Sequence, residues 1–146
     1  MDEFFNGAET LSLFCRTFLN LKRNLPIRNS EMGLLIYLVR SSEANEDVTS
    51  IQIGQFLKIS KPMVTAMTTS LIKGDYIVRI QDENDKRSYK LIPTGKAKTL
   101  VHSTYQEYLK AFVILKEEMG EENYKRFIEL ADQANAIFIK GNSKDE

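Results

Sequence analysis

With one cysteine and one histidine among 146 residues, the chain cannot build an internal disulfide framework or gather the thiols and imidazoles of a zinc site. The lone thiol fits a reducing compartment, and an unaccompanied His102 reads as a surface or interface residue; no metal and no cofactor is expected. No long uncharged apolar run and no basic-plus-apolar leader is present, so neither membrane spanning nor secretion is indicated, and a cytoplasmic location is expected. Charge of one sign is also missing. Twenty basic and 20 acidic residues cancel, so any surface that attracts a polyanion must be local. Nor is there a glycine-rich phosphate loop, a nucleophile with a plausible base, or a pair of carboxylates spaced for acid and base work. Catalysis is not expected.

What is present is an ordinary apolar fraction, enough for a genuine core, and one stretch that reads as a device: SKPMVTAMTTSLIKGDYIVRIQDENDKRSYKLI, from Ser60 to Ile92. Ser60 suits a helix N-cap, and Pro62 is tolerated in the first turn, where an N–H would have no partner. At roughly 100° per residue, Val64, Met67, Thr68 and Leu71 share one side, with Ile72 at its margin. Pro62, Thr65, Ala66, Thr69 and Lys73 project from the other side. Gly74 ends the helix. Tyr76 to Ile80 and Arg87 to Ile92 then read as strands joined by a charged turn, Gln81 to Lys86. Upstream, Thr49 caps a short helix over Ser50 to Leu57, and Lys58 with Ile59 makes a tight turn. Two short helices followed by a hairpin tipped with Lys86 and Arg87 form a winged helix-turn-helix pattern, with one helix sized for a DNA major groove.

The flanks are helical. Phe4, Ala8, Leu11, Cys15, Phe18 and Leu19 recur at helical spacing to about Leu21, and Leu25-Pro26-Ile27 bends the chain. Ser30 is the expected cap of a second helix, apolar almost all round from Met32 to Val39 and therefore central. Ser41 to Asp47 reads as a solvated loop, and Val48-Thr49 as a short third strand beside the hairpin. Thr94 caps a long helix to about Met119, with a seam through Ala97, Leu100, Val101, Thr104, Tyr108, Phe112 and Leu115. Gly120 breaks it, and a last helix carries Phe127, Ile128, Leu130, Ala131, Ala134, Ile137 and Phe138; the polar tail from Gly141 is expected to fray. Terminal helices this apolar exceed what one small lobe needs to cover itself, which predicts a homodimer through them. Two-fold symmetry would set two reading helices roughly 34 Å apart on a palindromic site.

The residues from Val48 to Lys96 resemble the DNA-binding lobe of the MarR family of bacterial transcriptional regulators. The resemblance rests on Ser60-Lys61-Pro62 with Val64-Thr65, on Leu71-Ile72-Lys73-Gly74-Asp75-Tyr76-Ile77, on Asp85-Lys86-Arg87, and on the helix entry at Thr94-Gly95-Lys96. One departure is Ala66, where many relatives place a basic residue. The expected fold is mainly α with a small β-wing, a single domain over 1–146: a DNA-binding lobe at 30–93, and dimerisation helices at 1–29 and 94–141. The resemblance implies a repressor of transcription, released when a small, often aromatic or anionic effector binds between the dimer helices and the DNA lobe. Candidate DNA-binding residues are Thr49, Gln52, Ser60, Lys61, Pro62, Thr65, Ala66, Thr69, Lys73, Asp85, Lys86, Arg87 and Lys90. Among them, Lys61, Lys73, Lys86 and Lys90 are expected at phosphates, and Arg87 at a minor groove in a pose held by Asp85. Cys15, Tyr37 and His102 are the candidate effector-pocket residues. Cys15, flanked by Leu11, Phe18 and Leu19, reads as a small buried hydrophobe, although some members of the family sense peroxide through such a residue. The alternatives are a winged-helix module that binds protein and not DNA, which the zero net charge and Ala66 keep open, and a single-cysteine redox-responsive regulator.

Overall fold

The computed structural model describes residues 2–21 and 23–142. In chain order these form α1 (Glu3–Leu19), α2 (Asn29–Glu43), α3 (Ser50–Leu57), α4 (Lys61–Lys73), β1 (Ile77–Gln81), β2 (Tyr89–Pro93), α5 (Gly95–Met119) and α6 (Glu121–Asn142). They fall into two compact units, one up to Thr104 and one from Tyr105 onward. The division lies inside α5. No helix among the described residues is long and apolar enough to cross a membrane.

The first unit is built on α2, which buries Met32, Leu34, Leu35, Leu38 and Val39. Around this apolar cylinder the core is completed by Val48, Ile53, Val64, Leu71, Ile77, Leu91, Ala97 and Val101, drawn from every later element of the unit. The helix does not start on Ser30. Arg28 is its N-cap, without a side-chain cap bond; its carbonyl accepts from Met32 N–H at 2.9 Å, and Glu31 sits in the acid-favouring first turn. At the other end the helix runs to Glu43 and buries Ser41, so the expected loop begins only at Ala44. Asn45 takes a left-handed conformation (φ 58°), which brings Glu46 N–H back to the Ser41 carbonyl at 2.8 Å.

The hairpin pairs Ile77 with Pro93 through Gln81 with Tyr89, antiparallel. Both strands sit one or two residues later than expected, for a local reason. Arg87 and Ser88 close the turn: Ser88 N–H donates to the Asp85 carbonyl (3.0 Å), and Asp82 N–H donates to the Ser88 carbonyl (3.1 Å). The expected third strand is reduced to a single bridge, Thr49 opposite Lys90, with Leu91 N–H donating to Val48 O at 2.9 Å. The first turns of α5 are joined to this unit through Thr94 and Lys96. Thr94 Oγ1 donates to Asp75 O (2.7 Å) and accepts from Ala97 N–H (3.3 Å), so it caps α5 while tying it to the end of α4.

The second unit comprises the remainder of α5 and α6, hinged at Gly120. Its φ of +86° is the left-handed value that favours glycine. Gly120 N–H donates to Lys116 O, and Gly120 O accepts from Tyr124 N–H, each at 3.0 Å, so one helix ends and the next begins on the same residue. No α6 residue is buried, and Ile137 and Phe138 stand open at 61% and 66% of their surface. In the first unit α1 likewise buries nothing: Phe4, Leu11 and Leu19 are exposed.

Candidate nucleic-acid interface

The helix-turn-helix is set by its caps. Thr49 and Gln52 form a reciprocal box, Gln52 N–H to Thr49 Oγ1 (3.3 Å) and Thr49 N–H to Gln52 Oε1 (2.9 Å), which starts α3 at Ser50. Lys58 then turns left-handed (φ 53°, ψ 46°), and Ile59 N–H reaches Gly54 O at 3.1 Å. Ser60 Oγ accepts from Met63 N–H at 3.3 Å to open α4, with Pro62 in the first turn. Val64, Thr68 and Leu71 are buried, the Thr68 hydroxyl satisfied by Val64 O at 2.8 Å. Pro62, Thr65, Ala66, Thr69 and Lys73 are all exposed on the opposite face.

Gly74 caps α4 at an ordinary φ of −83°; the left-handed residue is its neighbour Asp75 (φ 63°). Glycine suits position 74 for another reason. A Cβ there would come 2.9 Å from Cδ2 of Tyr76, whose ring carries Lys96 Nζ 4.5 Å from its centre. The same ammonium donates to Gly74 O at 2.8 Å, at the negative end of α4.

On the wing, Arg87 is fastened to Asp85 by three bonds: Nε to Oδ1 (3.1 Å), Nη2 to Oδ2 (3.1 Å) and the backbone N–H to Oδ1 (3.0 Å). The guanidinium side-chain bonds first, and then the backbone N–H, hold the Asp85 carboxyl below its ordinary value. The carboxylate in turn raises Arg87 above its own ordinary value. The Arg87 side chain nevertheless stays 83% exposed, held in shape but open to a partner. The wing base is pinned to α3: Ser50 Oγ lies 3.1 Å from Ser88 Oγ and accepts from Tyr89 N–H at 3.3 Å.

Between α3, α4 and the wing runs a cleft of about 520 Å³ that brings Lys61, Thr65 and Arg87 together. It also holds a cation that the sequence reading omitted. Arg79 stacks over the Tyr89 ring (4.6 Å) and lines the same cleft. Strand alternation from the buried Ile77 is the signal that puts Arg79 on this side of the hairpin.

Other candidates lie elsewhere. Lys90 Nζ is 3.2 Å from Asp47 Oδ2, a bond that raises its pKa, and Lys90 is not among the residues that line the cleft. Lys86 is exposed at the wing tip, its carbonyl accepting from Gln81 Nε2 at 3.3 Å. Gln52 turns its oxygen to Thr49. The three effector candidates are not gathered into one pocket. Tyr37 stacks flat on Phe56 (centroids 4.1 Å apart, planes at 6°), beside a hollow lined by Gly33, Ile36, Arg40 and Ser41. His102 Nε2 meets Glu43 Oε1 at 2.6 Å, and Glu43 lies six residues after Tyr37, about 120° around α2. Cys15 is exposed, contrary to its reading as a buried hydrophobe, and no residue of α1 is buried. No group of three or more His, Cys, Asp or Glu side chains among the described residues is arranged to hold a metal.

This architecture is a winged helix-turn-helix. The model of the MarR family matches residues 36–89, a stretch that runs from within α2 to the start of β2. Among solved structures the chain is similar to a MarR protein from Peptoclostridium difficile, at 22% identity over 99% of this chain and 93% of that one, with a TM-score of 0.73. It is similar to the transcriptional regulator SlyA at 11% identity over 95% and 98% of the two chains, with a TM-score of 0.76. It is also similar to S. aureus MepR in complex with DNA, at 21% identity over 76% and 80%, with a TM-score of 0.66. A search of curated proteins finds no match.

Proposed function

We propose that this protein is a transcriptional regulator that binds double-stranded DNA as a homodimer, with α4 in the major groove and the wing at the neighbouring minor groove of a palindromic operator. The observation that carries the reading is the pairing of two presented surfaces: the exposed face of α4 and an Arg87 guanidinium clamped by Asp85 yet open to solvent. The similarity to S. aureus MepR in its complex with DNA supports it. In this reading the lobe spans 30–93 and rests on the first turns of α5, while 1–29 and 94–141 supply the dimer helices, of which α1 and α6 bury no residue in the single chain. Lys61, Lys73, Lys86 and Arg79 contact phosphates, and Arg87 enters the minor groove. Repression lifted by a small effector is the mode of action we assign.

A salt titration tests it. Binding to promoter DNA by counterion release requires log K to fall with log salt by roughly 0.9 for each phosphate neutralised. A flat profile, or no retained DNA, would return the protein to the class of winged-helix modules that bind other proteins.

A further inference from the structure

Resting on the reading of α4 as the recognition helix, the chemistry of its exposed face says which bases it reads. At about 100° per residue, Pro62, Thr65, Ala66 and Thr69 lie within a strip about 100° wide, and all four are exposed. Hydrogen-bond readout in the major groove uses arginine or lysine for guanine, asparagine or glutamine for adenine, and a carboxylate for cytosine. The N-terminal half of the strip, which reaches base edges in such folds, holds none of these. Lys73 is on the strip, but eleven residues beyond Pro62, at the far end of the helix. Lys61 projects about 100° to one side of Pro62, a position for phosphate.

Even the one hydroxyl in that half is withdrawn as a donor. Thr65 Oγ1 donates to Lys61 O at 3.0 Å, so Thr65 offers its methyl group and an acceptor oxygen and no proton. What the N-terminal strip presents is therefore the Pro62 ring, the Thr65 methyl and the Ala66 Cβ. The one apolar base feature in the major groove is the 5-methyl group of thymine. We propose that α4 reads its operator through thymine methyl groups, with Thr65 and Ala66 as the readers and Pro62 beside them. The wing points the same way independently: a clamped arginine is drawn to the narrow, strongly negative minor groove of A·T tracts.

The test begins with the full-length protein selecting duplexes from a random pool. Each thymine of the selected half-site is then replaced in turn by deoxyuridine, which removes only the methyl group. At least two positions per half-site should lose roughly fourfold in affinity, the equivalent of one buried methyl group, and thymines outside the α4 footprint should lose nothing. Thr65→Ser keeps the hydroxyl bond to Lys61 and deletes the methyl. It should weaken binding to the thymine duplex and leave binding to the duplex with deoxyuridine at its contact position unchanged, with circular dichroism confirming the fold. Two results overturn the proposal while leaving DNA binding standing: full affinity for every deoxyuridine duplex, or an equal loss by Thr65→Ser on both duplexes. Retention of no duplex at all overturns the recognition-helix reading, and the proposal with it.

Discussion

Arg87 meets Asp85 side on, its Nε and Nη2 each 3.1 Å from a different carboxylate oxygen, two residues apart on the tip of the wing. Arg87 lies in solvent and Asp85 is half-buried at the surface, so the pair contributes little to stability; its effect is on pose. A long side chain with several rotatable bonds is fixed before any partner arrives, which lowers the entropy lost when it is inserted into a groove.

Arg87→Ala should weaken operator binding by about 1 to 3 kcal/mol while the dimer stays intact. Asp85→Ala should give a smaller loss, and the double variant should lose less than the sum of the two, since Asp85 acts only through Arg87. Titration of operator by fluorescence anisotropy measures all three, and strict additivity would remove the clamp from the account. The pH dependence follows from the sign of the shift. The Asp85 carboxyl is held below its ordinary 3.8, so the clamp is complete above that value and is lost only as pH falls through the lower, folded-state value. Affinity should thus show no Asp85-linked change between neutral and mildly acidic pH.

Gly74 and Asp75 invite the wrong expectation about which of them needs to be glycine. Asp75 has the left-handed backbone (φ 63°), yet Gly74 has the crowded Cβ position, 2.9 and 3.0 Å from two carbons of the Tyr76 ring. Gly74→Ala should destabilise by about 1 to 3 kcal/mol, through displacement of a ring that also carries Lys96. Asp75→Gly should leave stability unchanged or raise it by up to about 1 kcal/mol, because it relieves a left-handed residue. Urea midpoints at constant m-value decide the matter, and a neutral Gly74→Ala would mean that the ring gives way freely.

These adjacent residues also illustrate what the sequence reading reached. Thr49, Ser60 and Thr94 cap the helices they were expected to cap, since each is a short hydroxyl residue ahead of a helical pattern. Ser30 misled the same rule: α2 starts on Arg28, where a backbone carbonyl alone suffices and Glu31 suits the helix dipole. Strand limits differ because Arg87 and Ser88 adjoin the strand-favouring run from Tyr89 to Ile92 but give their N–H groups to the Asp85 turn. Arg79 is not legible from its own neighbours because its role depends on Tyr89, a partner ten residues away across the hairpin. Spacing showed which side of α1 is apolar, but covering is a property of what lies against a helix and not of the helix itself.

That uncovered surface carries the dimer prediction. Phe138→Asp or Ile137→Asp places a carboxylate on the most open apolar residues of α6. If a second copy covers them, the variants should be unfolded or aggregated by circular dichroism and light scattering. A soluble, well-folded dimer from either variant would exclude these residues from the interface, and a well-folded monomer would show that the dimer is not obligate.

Cys15 tests the other uncovered face. Leu11 and Leu19 lie within about 40° of it around α1, so the thiol sits in the middle of the apolar stripe, exposed in the single chain. If α1 is covered in the dimer, the thiol is covered with it. A thiol-reactive dye should then label Cys15 slowly in native protein and rapidly in urea, and the native rate should fall as protein concentration rises and dimer accumulates. A fast native rate independent of concentration would show that the stripe stays open, and would take α1 out of the interface. The same accessibility governs oxidation, because a thiol out of reach of solvent is also out of reach of peroxide. Cys15→Ser should therefore bind operator as the wild type does, both before and after mild peroxide. Release of the wild type by peroxide, with the serine variant still bound, would make this a redox-responsive regulator instead.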